Sequence, residues 1–204
     1  MKESLIYITD DITFQDIKND KVKKTEVYLK QMNNWFIKPA KLLLDSSRKQ
    51  GNYEQELALL TILITFFESH GQYLKGKSSQ VSSKKVFTYA FKAYLDYLVN
   101  VKKHSAEIYQ QLDLTKFYSL VRCGLLHNGY IRNEGVSFFI DRLKLDKVHV
   151  VYPNKIISNS WLINTYCMLE GLEDYLMYYL NLVEYDMEYK SNFEKMFESF
   201  YTLD

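Results

Sequence analysis

Apolar side chains recur every three or four positions over most of this chain, the period of helices buried along one side. From about Phe14 to Ser47 the pattern rests on Val27, Trp35, Leu42 and Leu43, and Pro39 marks a kink or a fresh helix start. "KQGN" at 49–52 is a break. The run from Tyr53 to Leu74 is apolar around most of its circumference between Leu57 and Phe67, which predicts a central helix. "KGKSSQVSSKK", 75–85, reads as a loop in which Ser82 or Ser83 caps the following helix. That helix, about Lys84 to Val101, carries Phe87, Ala90, Phe91, Tyr94, Leu95 and Leu98 at helical spacing. After the polar turn "KKHS" a short helix is expected over Ala106 to Gln111. A longer one starts near Leu114 and stops at Asn128-Gly129.

There the period changes. Val136, Phe138 and Ile140 alternate, as do Val148 and Val150, so two short strands separated by "DRLKLD" read as a β-hairpin. Ser158 or Asn159 then caps a long helix through about Leu182, and a last helix covers Glu188 to Phe200. The expectation is a mostly α bundle with a small β-hairpin inserted before the C-terminal helices. The chain 1–204 is expected to form one domain: N-terminal helices over 1–52, a core over 53–129, a hairpin over 135–153 and C-terminal helices over 158–204.

Composition narrows the class. Hydrophobic residues make up 47% and charged residues 25%, with two prolines and seven glycines, a globular balance that favours long helices. A net charge of +1 argues against a protein that coats nucleic acid by bulk charge, though not against a local basic patch. The apolar run Leu57 to Phe67 is too short to span a bilayer and is closed by Glu56 and Glu68. The N-terminus lacks the apolar stretch of a signal peptide, so a cytoplasmic protein is expected. Cys123 and Cys167 make neither a disulfide framework nor a metal cluster, and both sit in apolar helical contexts as reduced thiols. His70, His104 and His149 lack ligand-like spacing, so no metal is expected, and no cofactor.

Candidate chemistry concentrates in "FYSLVRCGLLHNGYI", 117–131. Arg122 and His127 are five positions apart, which places them about 140° apart on a regular helix; they flank a broad face rather than sharing a stripe. His127 falls in the last turn, where the carbonyl end of the helix favours its protonated form. An imidazole near neutrality suits general acid/base work, and a guanidinium suits a phosphate because its planar fork donates two hydrogen bonds. Together they suffice to cleave RNA without metal: the histidine moves protons for 2′-hydroxyl attack or the leaving oxygen, and the arginine offsets charge growing on phosphorus. Gly124 between them would admit a close neighbour, including a second copy of the helix. The plainer alternatives are an arginine that snorkels or pairs with a carboxylate and a histidine that caps carbonyls. A Cys123–His127 nucleophile at i, i+4 is conceivable, but Cys123 is more simply a small packed residue. Lys75, Lys77, Lys84 and Lys85 would touch a phosphate backbone or lie on a solvated loop. The stripe Tyr175, Tyr178, Tyr179 and Leu182 reads as core or dimer surface.

"VRCGLLHNG" resembles the R-x4-6-H motif of the HEPN superfamily of small all-α domains. The ordered set of an apolar helix ending in Phe67-Glu68, a Gly-Lys-Ser-Ser loop, a Phe-rich helix and then the motif is similar to a group of bacterial HEPN-like proteins, over roughly Leu57 to Gly129. The resemblance implies a HEPN-like helical bundle and a metal-independent endoribonuclease of a toxin or phage-defence system, with Arg122 and His127 as the catalytic pair. It places Glu68 where relatives carry an acidic residue facing the motif, able to hold Arg122 or orient His127. It further implies a homodimer whose two motifs meet in one cleft, an RNA substrate, and an antitoxin or nucleotidyltransferase partner; from their own chemistry, the amide of Asn128 and the cations Lys75 and Lys77 are the expected RNA contacts. Active members commonly have a polar residue after the arginine, where this chain has Cys123. That departure supports the alternative of a catalytically silent module binding RNA, a nucleotide or a protein.

Overall fold

The computed structural model describes residues 7–50, 53–131, 134–142 and 146–201. Gly51 and Asn52 of the expected break, and 143–145 of the expected turn, lie outside the described residues. The protein is mostly α, with a small sheet before its last two helices.

The chain enters through two short antiparallel strands, β1 (Tyr7–Thr9) and β2 (Ile12–Thr13), which periodicity did not signal because each is so brief. Helix α1 (Phe14–Lys18) follows on a capping box between Thr13 and Asp16. It ends at a turn with Asp20 at φ +52, so the expected single helix from Phe14 is broken early. From α2 (Lys24–Met32) the chain stays helical through a π-turn (Asn33–Ile37) into α3 (Lys38–Gln50). Pro39 therefore does not start a new helix. In an α-helix its ring would clash with the carbonyl of Trp35, and the wide π-turn, closed by the Lys38 amide donating to the Asn33 carbonyl, relieves that conflict. The stripe is also narrower than expected: Val27 is buried, but Trp35 and Leu42 are 55% and 72% exposed.

Helix α4 (Tyr53–Lys75) is the central element expected, packed by α3, α5, α9 and α10. Its C-terminus is fixed by Asn192 of α10, whose amide donates to the Leu74 carbonyl at 3.0 Å. The expected loop shrinks to Gly76, Lys77 and Ser78. Ser78, rather than Ser82 or Ser83, caps α5 (Ser79–Asn100), and Ser82 instead forms a kink inside it (φ −169°, ψ 78°). Gly71 lets α5 approach closely, since a Cβ there would lie 2.5 Å from the Val86 carbonyl oxygen.

After α6 (Ala106–Gln110), α7 (Leu114–Phe117) is pinned to α5 by Phe117, which stacks on Phe91 with ring centroids 4.7 Å apart. A second π-turn (Tyr118–Arg122) leads into α8 (Cys123–Asn128), which stops at Gly129 with φ +75.

The sheet corrects the expected hairpin. Strands β3 (Ser137–Ile140), β4 (Val151–Pro153) and β5 (Ser160–Ile163) lie in the order β3-β5-β4, with β3 parallel and β4 antiparallel to β5. The hairpin joins β4 to β5 and turns at Asn159, whose φ is +53. The long helix α9 (Thr165–Tyr185) is thus capped by Asn164, not by Ser158 or Asn159. The reason is that "SWLI" lies in the middle of the sheet; its short apolar run carries no period that separates a covered strand from a helix start. Helix α10 (Met187–Tyr201) closes the bundle.

Candidate functional site

Helices α4 and α5 and the second π-turn assemble one polar cluster on an otherwise apolar seam. Arg122 ends the π-turn, and both its Nε (2.9 Å) and its Nη2 (2.5 Å) donate to a single oxygen, Oε2 of Glu68 on α4. The two side chains are only 13% and 16% exposed, so the contact is largely withdrawn from water. Beneath the guanidinium lies the Tyr118 ring, its centroid 5.4 Å from Cζ. The Tyr118 hydroxyl shares a hydrogen bond of 2.6 Å with Ser83, just past the α5 kink. On the other edge Nη1 reaches Sγ of Cys123 at 4.0 Å.

Burial works against the charge on Arg122, but the hydrogen bonds and charge of Glu68 outweigh it and raise its pKa. Burial also raises the Tyr118 pKa, against the Ser83 hydrogen bond and the Arg122 charge. The guanidinium is therefore a fixed cation with one edge committed to a carboxylate and the Nη1 edge facing a thiol.

Glu68 and Arg122 thus meet. His127 stands elsewhere, exposed in the last turn of α8 beside Asn128, which is exposed too. Among the described residues no hydrogen bond or ion pair joins His127 to Arg122 or Glu68. Exposed Leu126 and Tyr130 flank it. Lys75, the last residue of α4, sits 4.0 Å above the Tyr89 ring, and Lys77 is exposed in the connection to α5.

Sequence reasoning missed Tyr118 and Ser83. Tyr118 stands four positions before Arg122, a helical neighbour, so its place under the guanidinium had a signal. Ser83 had none, because its contact depends on the kink at Ser82.

Two further groups are internal. His70 is fully buried, its Nδ1 2.5 Å from the Tyr28 hydroxyl and its Nε2 3.2 Å from that of Tyr175; burial holds its pKa at about 3. His104 Nδ1 shares a hydrogen bond of 3.0 Å with the Tyr109 hydroxyl and its ring meets that of His149, while His149 pairs with Asp146 at 2.7 Å. Among the described residues no three His, Cys, Asp or Glu side chains are grouped to hold a metal ion. No described helix is long and apolar enough to cross a membrane.

These features define a mostly helical protein with a largely buried guanidinium–carboxylate pair and an exposed histidine one and a half turns further on. No protein-family model, curated protein or solved structure matches the chain.

Proposed function

We propose that this protein is a HEPN-like, metal-independent endoribonuclease that acts as a homodimer, in a toxin or phage-defence setting. The observation behind this is the fixed cation at Arg122, braced by Glu68 and Tyr118, in the same short helical segment as a solvent-facing His127. In this scheme His127 takes the proton from a ribose 2′-hydroxyl and the 2′-oxygen bonds to phosphorus. The 5′-oxygen leaves with a proton from water or from the same histidine of a second copy. The products are a 2′,3′-cyclic phosphate and a free 5′-hydroxyl. Arg122 meets the charge growing on the phosphoryl oxygens through its Nη1 edge, the side not engaged by Glu68. Asn128, exposed beside His127, and Lys77, exposed in the connection to α5, are RNA contacts in the same proposal; Lys75 joins them by leaving the Tyr89 ring.

The test is cleavage of mixed-sequence RNA by purified protein in EDTA. Wild type is expected to cut, and His127→Ala to lose about 10²- to 10⁴-fold in rate. Equal absence of cleavage in both rejects the enzyme.

A second reading has its own observation. Both hydrogen bonds from Arg122 to Glu68 leave from the Nε/Nη2 edge, and a thiol, a weak donor, flanks the other. A module with that arrangement would bind RNA, a nucleotide or a protein such as an antitoxin or nucleotidyltransferase without cleaving anything. RNA binding that persists in His127→Ala, with no cleavage by either protein, selects it.

A further inference from the structure

One turn along α4 from the ion pair lies a cleft that the proposed chemistry does not use. Trp35, Tyr73, Phe200 and Tyr201 supply aromatic walls, and Ser69 and Gln72 supply polar groups. Its volume is about 420 Å³, within the range of small-ligand sites. Trp35 projects from the π-turn that precedes Pro39, the kind of helix irregularity that tends to mark working positions. It is 55% exposed, an unusual setting for the largest apolar side chain.

We infer that this cleft binds a nucleobase of single-stranded RNA, stacked on Trp35. The inference deepens the RNA reading above and rests on it for the polymer.

Three observations select this occupant. No residue lining the cleft carries a charge at neutral pH, so its ligand is a neutral group. The aromatic walls fit a planar ring, while the amide and hydroxyl groups would be left unpaired by a lipid chain. The Gln72 oxygen accepts from the Ser79 amide at 2.9 Å, which leaves its NH2 for a ring nitrogen or carbonyl of a base.

Position supplies a further argument. Gln72 follows Glu68 by four residues, about 6 Å along the helix axis. At about 100° per residue, Gln72 stands between Glu68 and the Ser69–Tyr73 strip. The ion pair and the cleft therefore occupy adjoining strips of one helix, so a strand with a phosphate near Arg122 has the cleft beside its path.

The experiment measures binding of fluorescent 2′-O-methyl pentaadenylate, which lacks the attacking hydroxyl, and of its abasic analogue. Trp35→Ala is expected to weaken the base-bearing oligomer roughly 5- to 150-fold, the effect of losing one stacked base. Binding of the abasic strand should not change, and Trp35→Phe should restore most of the loss. In a Trp161→Phe background, adenosine should quench the Trp35 fluorescence. Equal binding by wild type and Trp35→Ala overturns the inference, as does a wild type that binds neither oligomer. Cleavage in EDTA separates the two proposals. Cutting that is indifferent to Trp35 keeps the nuclease and removes the cleft; Trp35-dependent binding without cutting does the reverse.

Discussion

At the scale of single residues, two polar arrangements withdrawn from water have opposite consequences. The Arg122–Glu68 pair is charged, and removing one partner strands the other. Glu68→Met should therefore cost about 2–4 kcal/mol, a little under the range for fully buried pairs because both side chains keep some exposure. The double variant Glu68→Met/Arg122→Met removes both charges and is expected to recover to within about 1 kcal/mol of wild type while losing RNA binding. Urea unfolding and oligomer binding measured on the same two proteins check this; a double variant that keeps RNA affinity would assign the pair to architecture alone. His70 is neutral, enclosed by the Tyr28 and Tyr175 hydroxyls, with the Phe66 and Tyr179 rings against it. Its folded pKa, about 3, lies below the ordinary 6.5, so the unfolded chain takes up a proton that the folded one refuses. The stability this confers is complete above about pH 6.5 and falls as pH drops toward 3, by about 1.4 kcal/mol per unit. His70→Phe should remove that slope from the urea midpoint between pH 6 and 4. A shallower slope remains from His104, whose pKa is lowered by burial and then by His149. An unchanged slope in His70→Phe would show that acid acts elsewhere.

At the scale of elements, legibility followed length and period. Helix α4 was readable because its 23 residues carry a dense apolar pattern, and α8 because Asn128-Gly129 supplies a stop whose glycine takes the left-handed conformation. The resemblance to the HEPN superfamily places Glu68 facing the motif, and in the fold its carboxylate accepts from Arg122 Nε at 2.9 Å. Both π-turns escaped, since one extra residue per turn leaves no mark in a 3.6-residue pattern. Their effect is local but consequential: one carries Trp35 and the other carries Tyr118 and Arg122. The error at β5 has a different origin. Its four residues, "SWLI", are mostly buried, so neither alternation nor amphipathicity identifies them, and the polar residues before them imitate a helix cap. The true cap, Asn164, also donates to the Asp146 carbonyl at 2.6 Å, a bond between segments 18 residues apart that no local pattern encodes.

At the scale of the whole molecule, the proposed chemistry requires an exposed imidazole and a withdrawn guanidinium to act on one phosphate. Within one chain the helix separates them by about 140°, so the economical solution is a second copy that brings its own α8 against the first. The surface around His127 favours this, because Leu126 and Tyr130 are 39% and 58% exposed on either side of it. A competing apolar surface exists at the α9–α10 junction, where Tyr185 and Met187 are over 80% exposed, and it carries none of Arg122, His127 or Glu68. A stable dimer buries about 1,200–2,000 Å² in total, more than two side chains supply, so the contact must extend beyond Leu126 and Tyr130. Leu126→Glu places two like charges in an α8-centred interface. It is expected to raise the dimer dissociation constant at least about tenfold and to lower cleavage in the same proportion, while Tyr185→Glu changes neither. Sedimentation velocity over a concentration series, paired with the cleavage assay at each concentration, reads both effects at once. If Tyr185→Glu alone dissociates the dimer, or if a monomeric Leu126→Glu cuts RNA at the wild-type rate, then the two motifs do not share a site, and His127 must work without the guanidinium of another copy.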